Sequence, residues 1–290
     1  MARVSRQPTE TELSSDGGRE SAAPDAQAEI DAVTWYHDFD FGNGLVARST
    51  TPDVAAHRRV WRFIESGLAA VDFRGKSVLD IGCWDGYWSF YAERQGAASV
   101  LAADDVTQNW ATGEGLRLAK RLLGSHVEIK QDQSVYELAQ LGRTFDLILC
   151  LGVYYHLLDP FFALTQIRHC CGPGTVVVFE GDVGVGANEV RYSLGQARPG
   201  LVIPSKAALN NLLRAAYLEV RSQEFLKTGP RAWAKTALER LPGRLGFSRR
   251  LVDRALTVCV PFTGVNELHD YEPPFGLAAY DDRYRQRAAG

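Results

Sequence analysis

Val78-Leu79-Asp80-Ile81-Gly82-Cys83-Trp84-Asp85-Gly86-Tyr87-Trp88 passes from an apolar run through Asp-x-Gly-x-x-x-Gly into a helix-like pattern. A second apolar run, Ala98-Ser99-Val100-Leu101-Ala102-Ala103, ends at Asp104. The pattern reads as a strand, a glycine turn, a helix and a second strand with a carboxylate at its tip. Glycines let the backbone approach a ligand closely. A carboxylate in that place accepts hydrogen bonds from a ribose diol. The unit is therefore read as a nucleoside-cofactor site.

The turn narrows the choice of cofactor. A nicotinamide dinucleotide site favours G-x-G-x-x-G, with the pyrophosphate over a helix N-terminus. Here Trp84 stands where the middle glycine would admit a pyrophosphate, and Asp85 would repel a diphosphate. The Gly-Lys-Ser/Thr of a phosphate-binding loop is missing. An acidic turn suits a ligand with a cationic end and no phosphate, such as S-adenosylmethionine with its ammonium and sulfonium.

Composition sets the bounds. The 290 residues are 46% hydrophobic, enough for one large α/β domain with additions. Acids outnumber bases by 35 to 32. Residues 1–31 hold seven of those acids and three of those bases and almost no large apolar side chains, so this stretch is expected to be a disordered acidic tail. It lacks the apolar stretch behind a basic start of a secretory signal. No run of 18 apolar residues suggests an integral membrane segment. The cysteines are Cys83, Cys150, Cys170, Cys171 and Cys259, with no C-x-x-C pair, so neither a metal nor a disulfide framework is expected. A reducing cytoplasm is the expected compartment.

Strand-like and helix-like runs alternate, which favours a doubly wound, Rossmann-like, mostly parallel sheet with flanking helices. Strands are expected at 77–82, 98–103, 126–130, 145–151 and 174–180. Helices are expected at 53–70, 87–95, 109–123, 161–170 and 207–216, with Gly172-Pro173-Gly174 as a breaker. The expected organisation is the tail (1–31), an N-terminal helical cover (32–72), the cofactor-binding core (73–222) and a C-terminal extension (223–290). Residues 227–254 carry eight bases against two acids, with leucines interleaved. They read as a basic amphipathic helical insertion, facing RNA phosphate, a phosphorylated substrate or an anionic membrane, or else as a solvated helical face.

At this point the chain resembles the class I S-adenosylmethionine-dependent methyltransferases, and most closely the branch with the tRNA wobble-uridine carboxymethyltransferases. The resemblance rests on Trp35-Tyr36-His37 with Gly42-Asn43-Gly44, the 78–104 unit, the run from Phe145 to His156 that contains Gly152-Val153-Tyr154-Tyr155-His156, and Leu201-Val202-Ile203-Pro204-Ser205. It implies S-adenosyl-L-methionine as cofactor. Asp80 would support the loop and the cofactor ammonium, and Gly82 and Gly86 would pass close to its methionine part. Asp85 is a further expected contact. Asp104 would take the ribose hydroxyls, with Asp105 as its rival. Val135 and Tyr136 would bracket adenine, with Asp132 as another partner for its amine. Leu151 would face adenine, and Tyr155 the methyl end. His156 and His37 are candidate bases, and Trp35, Tyr36 and His37 belong to the cover. Tyr271-Glu272-Pro273-Pro274-Phe275-Gly276-Leu277 is expected to close the acceptor pocket or to dock on the sheet.

The carboxymethyl-transferring relatives need cations for the extra carboxylate of their donor. Tyr155 is kept, but Lys76 is the sole lysine before Lys120, with Arg58, Arg59 and Arg62 as substitutes, and the family's C-terminal arginine has no evident counterpart. The first expectation is therefore O-methylation of a small polar acceptor, a sugar or specialised metabolite. The second is a wobble-uridine methyl- or carboxymethyltransferase acting on tRNA through 227–254, and the third a non-catalytic cofactor-binding relative.

Overall fold

The computed structural model describes residues 22–107, 112–184, 186–193, 201–227 and 252–285. Its centre is a seven-stranded sheet. Five strands run parallel: β3 (Ser77–Ile81), β4 (Ser99–Ala103), β5 (Glu128–Lys130), β6 (Phe145–Leu151) and β7 (Cys171–Gly184). β10 (Leu218–Leu226) and β11 (Val252–Pro261) complete the order β10-β11-β7-β6-β3-β4-β5, with β11 antiparallel to both neighbours. The chain builds outward from β3 through β4 to β5, then crosses back to β6 on the other side of β3. That reversal opens a crevice at the carboxyl ends of β3 and β6, where open α/β sheets bind ligands.

Strand alternation explains why the sheet is covered twice. Val78, Val100, Ala102, Leu147 and Leu149 point into one core. It is shared with α2 (Val54–Leu68), α3 (Tyr87–Arg94) and α4 (Glu114–Leu123). Leu79, Ile81, Leu101, Ile148 and Cys150 point into the other. That core is closed by α5 (Pro160–His169) and α6 (Lys206–Ala215). Local chemistry sets the helix starts. Asp159 accepts from the Phe162 N–H at 2.9 Å with Pro160 in the first turn, and Ser205 accepts from the Ala208 N–H at 3.2 Å.

The structure departs from the sequence reading in four places. Residues 22–31, expected within a disordered tail, form the helix α1 (Ala22–Asp31). Its Ile30 is buried and its Ile30 carbonyl accepts the Trp35 indole N–H at 2.8 Å. The N-terminal cover is not all helix, because β1 (Phe39–Gly42) and β2 (Leu45–Ala47) pair as a hairpin. Asn43 and Gly44 are its two turn residues, both at positive φ, and their backbone matches the strand twist. Gly172-Pro173-Gly174 is a register shift inside β7 rather than its boundary. The sheet also does not end at 222, since β10 and β11 belong to it and to the second core. The small pair β8 (Val190–Tyr192) and β9 (Val202–Pro204) lies outside the main sheet. The basic insertion falls mainly on 228–251, outside the described residues.

The segment near residue 275 docks on α5. Phe275 packs on Phe162 at 4.8 Å between ring centroids, and its carbonyl accepts from His169 Nε2 at 2.8 Å. Gly181 sits in β7 beneath the loop that leaves β6. A Cβ there would come within 2.6 Å of the Tyr154 ring and 2.8 Å of the Tyr155 ring. Gly181→Ala is therefore expected to destabilise the protein by about 1–3 kcal/mol through overpacking, read as a lower melting temperature.

Candidate active site

β3 carries Asp80 as its next-to-last residue, and the turn that follows Ile81 is built by glycine. Gly82 has φ +66 and donates its N–H to the Ala103 carbonyl at 2.8 Å, which ties the turn to β4. A Cβ on Gly82 would lie 2.7 Å from Val153, and one on Gly86 2.4 Å from Leu116, so both positions are sterically closed to other residues. Trp84 also takes a positive φ of 55, an uncommon conformation for a bulky residue.

Asp80 is 2% exposed and accepts from the Ser89 hydroxyl at 2.6 Å. Burial, reinforced by the negative charges of Asp104 and Asp85, raises its pKa to about 7 against the pull of Ser89. Asp104 stands half-buried at the tip of β4. Its Oδ1 accepts from the Asp105 N–H at 3.0 Å, and Asp105 in turn is held by the Thr107 N–H and hydroxyl at 3.0 and 2.6 Å. Asp132 is exposed and paired with Lys130 at 2.7 Å. Val135 and Tyr136 open a short 3-10 turn capped by Ser134, and the Tyr136 hydroxyl accepts from the Asp159 N–H at 3.1 Å. Leu151 is buried at the end of β6, and Tyr155 is buried in the turn that follows.

Asp85 departs from its expected role. One of its oxygens accepts the backbone N–H groups of Tyr36 and His37 at 3.0 and 2.7 Å, and the other lies 2.7 Å from His37 Nδ1. Both oxygens thus bind the N-terminal cover, which makes Asp85 a strut between the glycine turn and that cover. Trp35 is a core residue, 1% exposed. His37 is 4% exposed, and its Nε2 is buried with no hydrogen-bond partner. The Tyr36 hydroxyl lies 3.0 Å from Nδ1 of His57, a residue of α2 that the sequence reading missed. His57 precedes Trp61 by one helical turn, the spacing that could have marked it. His156 keeps solvent contact while its ring lies 4.2 Å from that of Tyr155. Partial desolvation of that ring against Tyr155 and the charge of Arg254 lower its pKa, with Asp182 opposing.

Arg254 is the main residue the sequence reading misplaced. It belongs to β11, not to a basic surface. Its Nε and one terminal nitrogen bind Glu180 at 2.7 and 2.6 Å, and the other terminal nitrogen binds Asp182 at 2.8 Å. Its guanidinium sits 4.8 Å from the centre of the Tyr155 ring. This is a C-terminal arginine beside the tyrosine, where none was evident from the sequence. Arg58 is committed to Asp38 at 2.6 Å, and Arg59 donates to the Lys227 carbonyl at 3.0 Å. Arg62 is exposed. Among the described residues no group of three or more histidine, cysteine or acidic side chains is placed to hold a metal.

Positive-φ glycines in the turn, acids at the ends of β3 and β4 and a bare buried imidazole nitrogen together fit S-adenosylmethionine. Asp80 gives the fit a pH signature. A cationic ligand favours the ionised carboxylate, so affinity should rise as pH climbs through about 7 and level off above it. The raised pKa also means that the ligand-free protein loses stability from this group as pH rises from about 4 to about 7. Asp80→Asn is expected to remove the pH step in calorimetric titrations, weaken binding and raise the melting temperature of the ligand-free protein at neutral pH.

A family profile described as "Methyltransferase domain" matches residues 55–223. A tRNA U34 carboxymethyltransferase from Pseudomonas paraeruginosa is 34% identical over 152 residues, covering 50% of this chain and 46% of that protein. One from Azotobacter vinelandii is 32% identical over 158 residues, covering 52% and 48%. The chain thus spans about half the length of these curated relatives. Among solved structures, the N-terminal domain of EvdMO1 with SAH bound aligns with a TM-score of 0.56 at 15% identity, covering 85% of this chain and all of that one. The [4+2]-cyclase SpnF aligns at 0.54 and 17% identity, covering 82% and 92%. At such identities these two report the fold. The profile, by contrast, spans more than half of the chain and includes the glycine turn, both strand-tip acids and Tyr155. The chain belongs to the class I S-adenosylmethionine-dependent methyltransferases.

Proposed function

We propose that the protein transfers the methyl group of S-adenosylmethionine to an oxygen of a small polar acceptor, a sugar or specialised metabolite. The observation that carries the choice of donor is the charge beside Tyr155. Arg254 meets two carboxylates, Glu180 and Asp182, so the cluster bears one more negative charge than positive. Such a site favours a sulfonium cation and opposes an additional carboxylate on the same carbon. The cofactor supplies a methyl group already activated for displacement. The protein's share is to hold donor and acceptor in line and to keep water out. Tyr36, Trp61, Tyr87 and Trp88 gather around His37 and form an aromatic cover suited to the second task. A formal net charge of −3 adds no general attraction for a polyanion.

A second reading, carboxymethyl transfer to a tRNA wobble uridine, is favoured by the names of the curated relatives and by the position of Arg254. The bonds to Glu180 and Asp182 engage three of the five guanidinium N–H groups, which leaves two for a further anion. The bases concentrated in 227–254 are the sequence feature that suits an RNA partner.

Calorimetric titration of the full chain with S-adenosylmethionine and with its carboxylated analogue separates the two. Plain S-adenosylmethionine is expected to bind at least about tenfold more tightly, the equivalent of about 1.4 kcal/mol. Tighter binding of the analogue would reject the first reading. The second would then require transfer of labelled carboxymethyl from the analogue to tRNA, with binding that falls steeply with salt.

A further inference from the structure

The bare Nε2 of His37 has been given no specific partner among the described residues or on the cofactor. The ring is 4% exposed, stacked on Tyr87 at 4.7 Å and 17°, with Tyr36 and Trp88 edge-on. Nδ1 lies 2.7 Å from a carboxylate oxygen of Asp85, and a carboxylate can only accept. Nδ1 therefore carries a proton, and a ring with that one proton presents Nε2 as a lone pair. That lone pair is buried and unmatched. Unmatched buried polar atoms are few in native proteins, and each calls for an explanation such as a ligand.

The place of this nitrogen suggests which ligand. Asp85 lies in the glycine turn, between Trp84 and Gly86, yet both its oxygens are occupied by the cover. All three of its hydrogen bonds among the described residues run to residues 36 and 37. Its negative charge reaches outward through the His37 ring instead, since an imidazole bonded to a carboxylate becomes a better acceptor at its far nitrogen.

We propose that His37 Nε2 accepts a hydrogen bond from the α-ammonium of the cofactor's methionine part, with Asp85 as the positioning residue that fixes the tautomer. The acidic turn then serves the cationic end of the cofactor at one remove. The proposal rests on the S-adenosylmethionine reading and assigns His37 to the cofactor rather than to acceptor deprotonation.

The test compares two ligands on the full chain by calorimetry. S-Adenosylhomocysteine carries the ammonium, and 5′-methylthioadenosine lacks the amino-acid end. His37→Phe keeps a flat ring against Tyr87 and removes both nitrogens. It is expected to weaken S-adenosylhomocysteine about tenfold to hundredfold, as for a charge-assisted hydrogen bond, and to leave 5′-methylthioadenosine unchanged. In Asp85→Asn the amide would donate to Nδ1 and force the proton onto Nε2, so the same selective loss is expected. His37→Gln offers a carbonyl oxygen and should recover part of the affinity. Should His37→Phe fail to fold, Asp85→Asn and His37→Gln decide the matter. Unchanged S-adenosylhomocysteine affinity, or an equal loss for both ligands, would overturn the proposal. Failure of the unaltered protein to bind either ligand would instead remove the cofactor reading beneath it.

Discussion

The carboxylate of Asp85 joins two parts of the chain that are 48 residues apart. It is 2% exposed and takes three hydrogen bonds from residues 36 and 37. A charge so deeply buried is tolerated only when its lone pairs are matched. The turn after β3 and the cover therefore form a single unit: the strained backbone at Trp84 and the aromatic cluster around His37 are held by the same oxygens. Removing every acceptor at this position, as in Asp85→Ala, would loosen the cover and the cofactor turn together.

A second buried charge pattern closes the opposite side of the crevice. Glu180 is fully buried at the carboxyl half of β7 and would be costly there without a cation. Arg254 reaches it from the antiparallel strand β11, so the ion pair ties the one reversed strand of the sheet to the loop that bears Tyr155. Arginine suits this place because its planar fork binds one carboxylate with two nitrogens and still reaches a second. Asp85 and Arg254 each tie together segments that are far apart in the chain. One carries its charge toward the cofactor's amino-acid end, and the other sets the charge balance near Tyr155.

The parallel half of the sheet is legible in the sequence because its determinants are local. Val78 to Ile81 and Phe145 to Leu151 are short apolar runs bounded by turn residues, and Ser205 and Asp159 announce the helices that follow them. The antiparallel half is not. Leu218–Leu226 mixes apolar residues with Glu219, Arg221, Gln223 and Glu224, as an edge strand tolerates, and so lacks a buried signature. The N-terminal hairpin has a clear turn in Asn43-Gly44, but its strands are too short to show alternation. Among the site residues, the glycines could be read because their role is steric and local. Asp85 and Arg254 could not, because a charge in a sequence reveals its sign and not its partner. Asp85 read as a ligand for a cation and Arg254 as part of a basic surface. Each instead has a partner far away in the chain, at Tyr36–His37 and at Glu180.

The register of β10 against β11 places Leu226 directly opposite Arg254, although many residues separate them in sequence. The two ends of the intervening segment are thus held one strand spacing apart by the ladder itself. The entropy of closing such a loop grows only with the logarithm of its length. Long and short insertions would cost nearly the same at this point, and the sheet would not register the difference. The ladder thus fixes where the chain leaves and re-enters the sheet beside Arg254, independently of the cofactor turn, which is built on other strands.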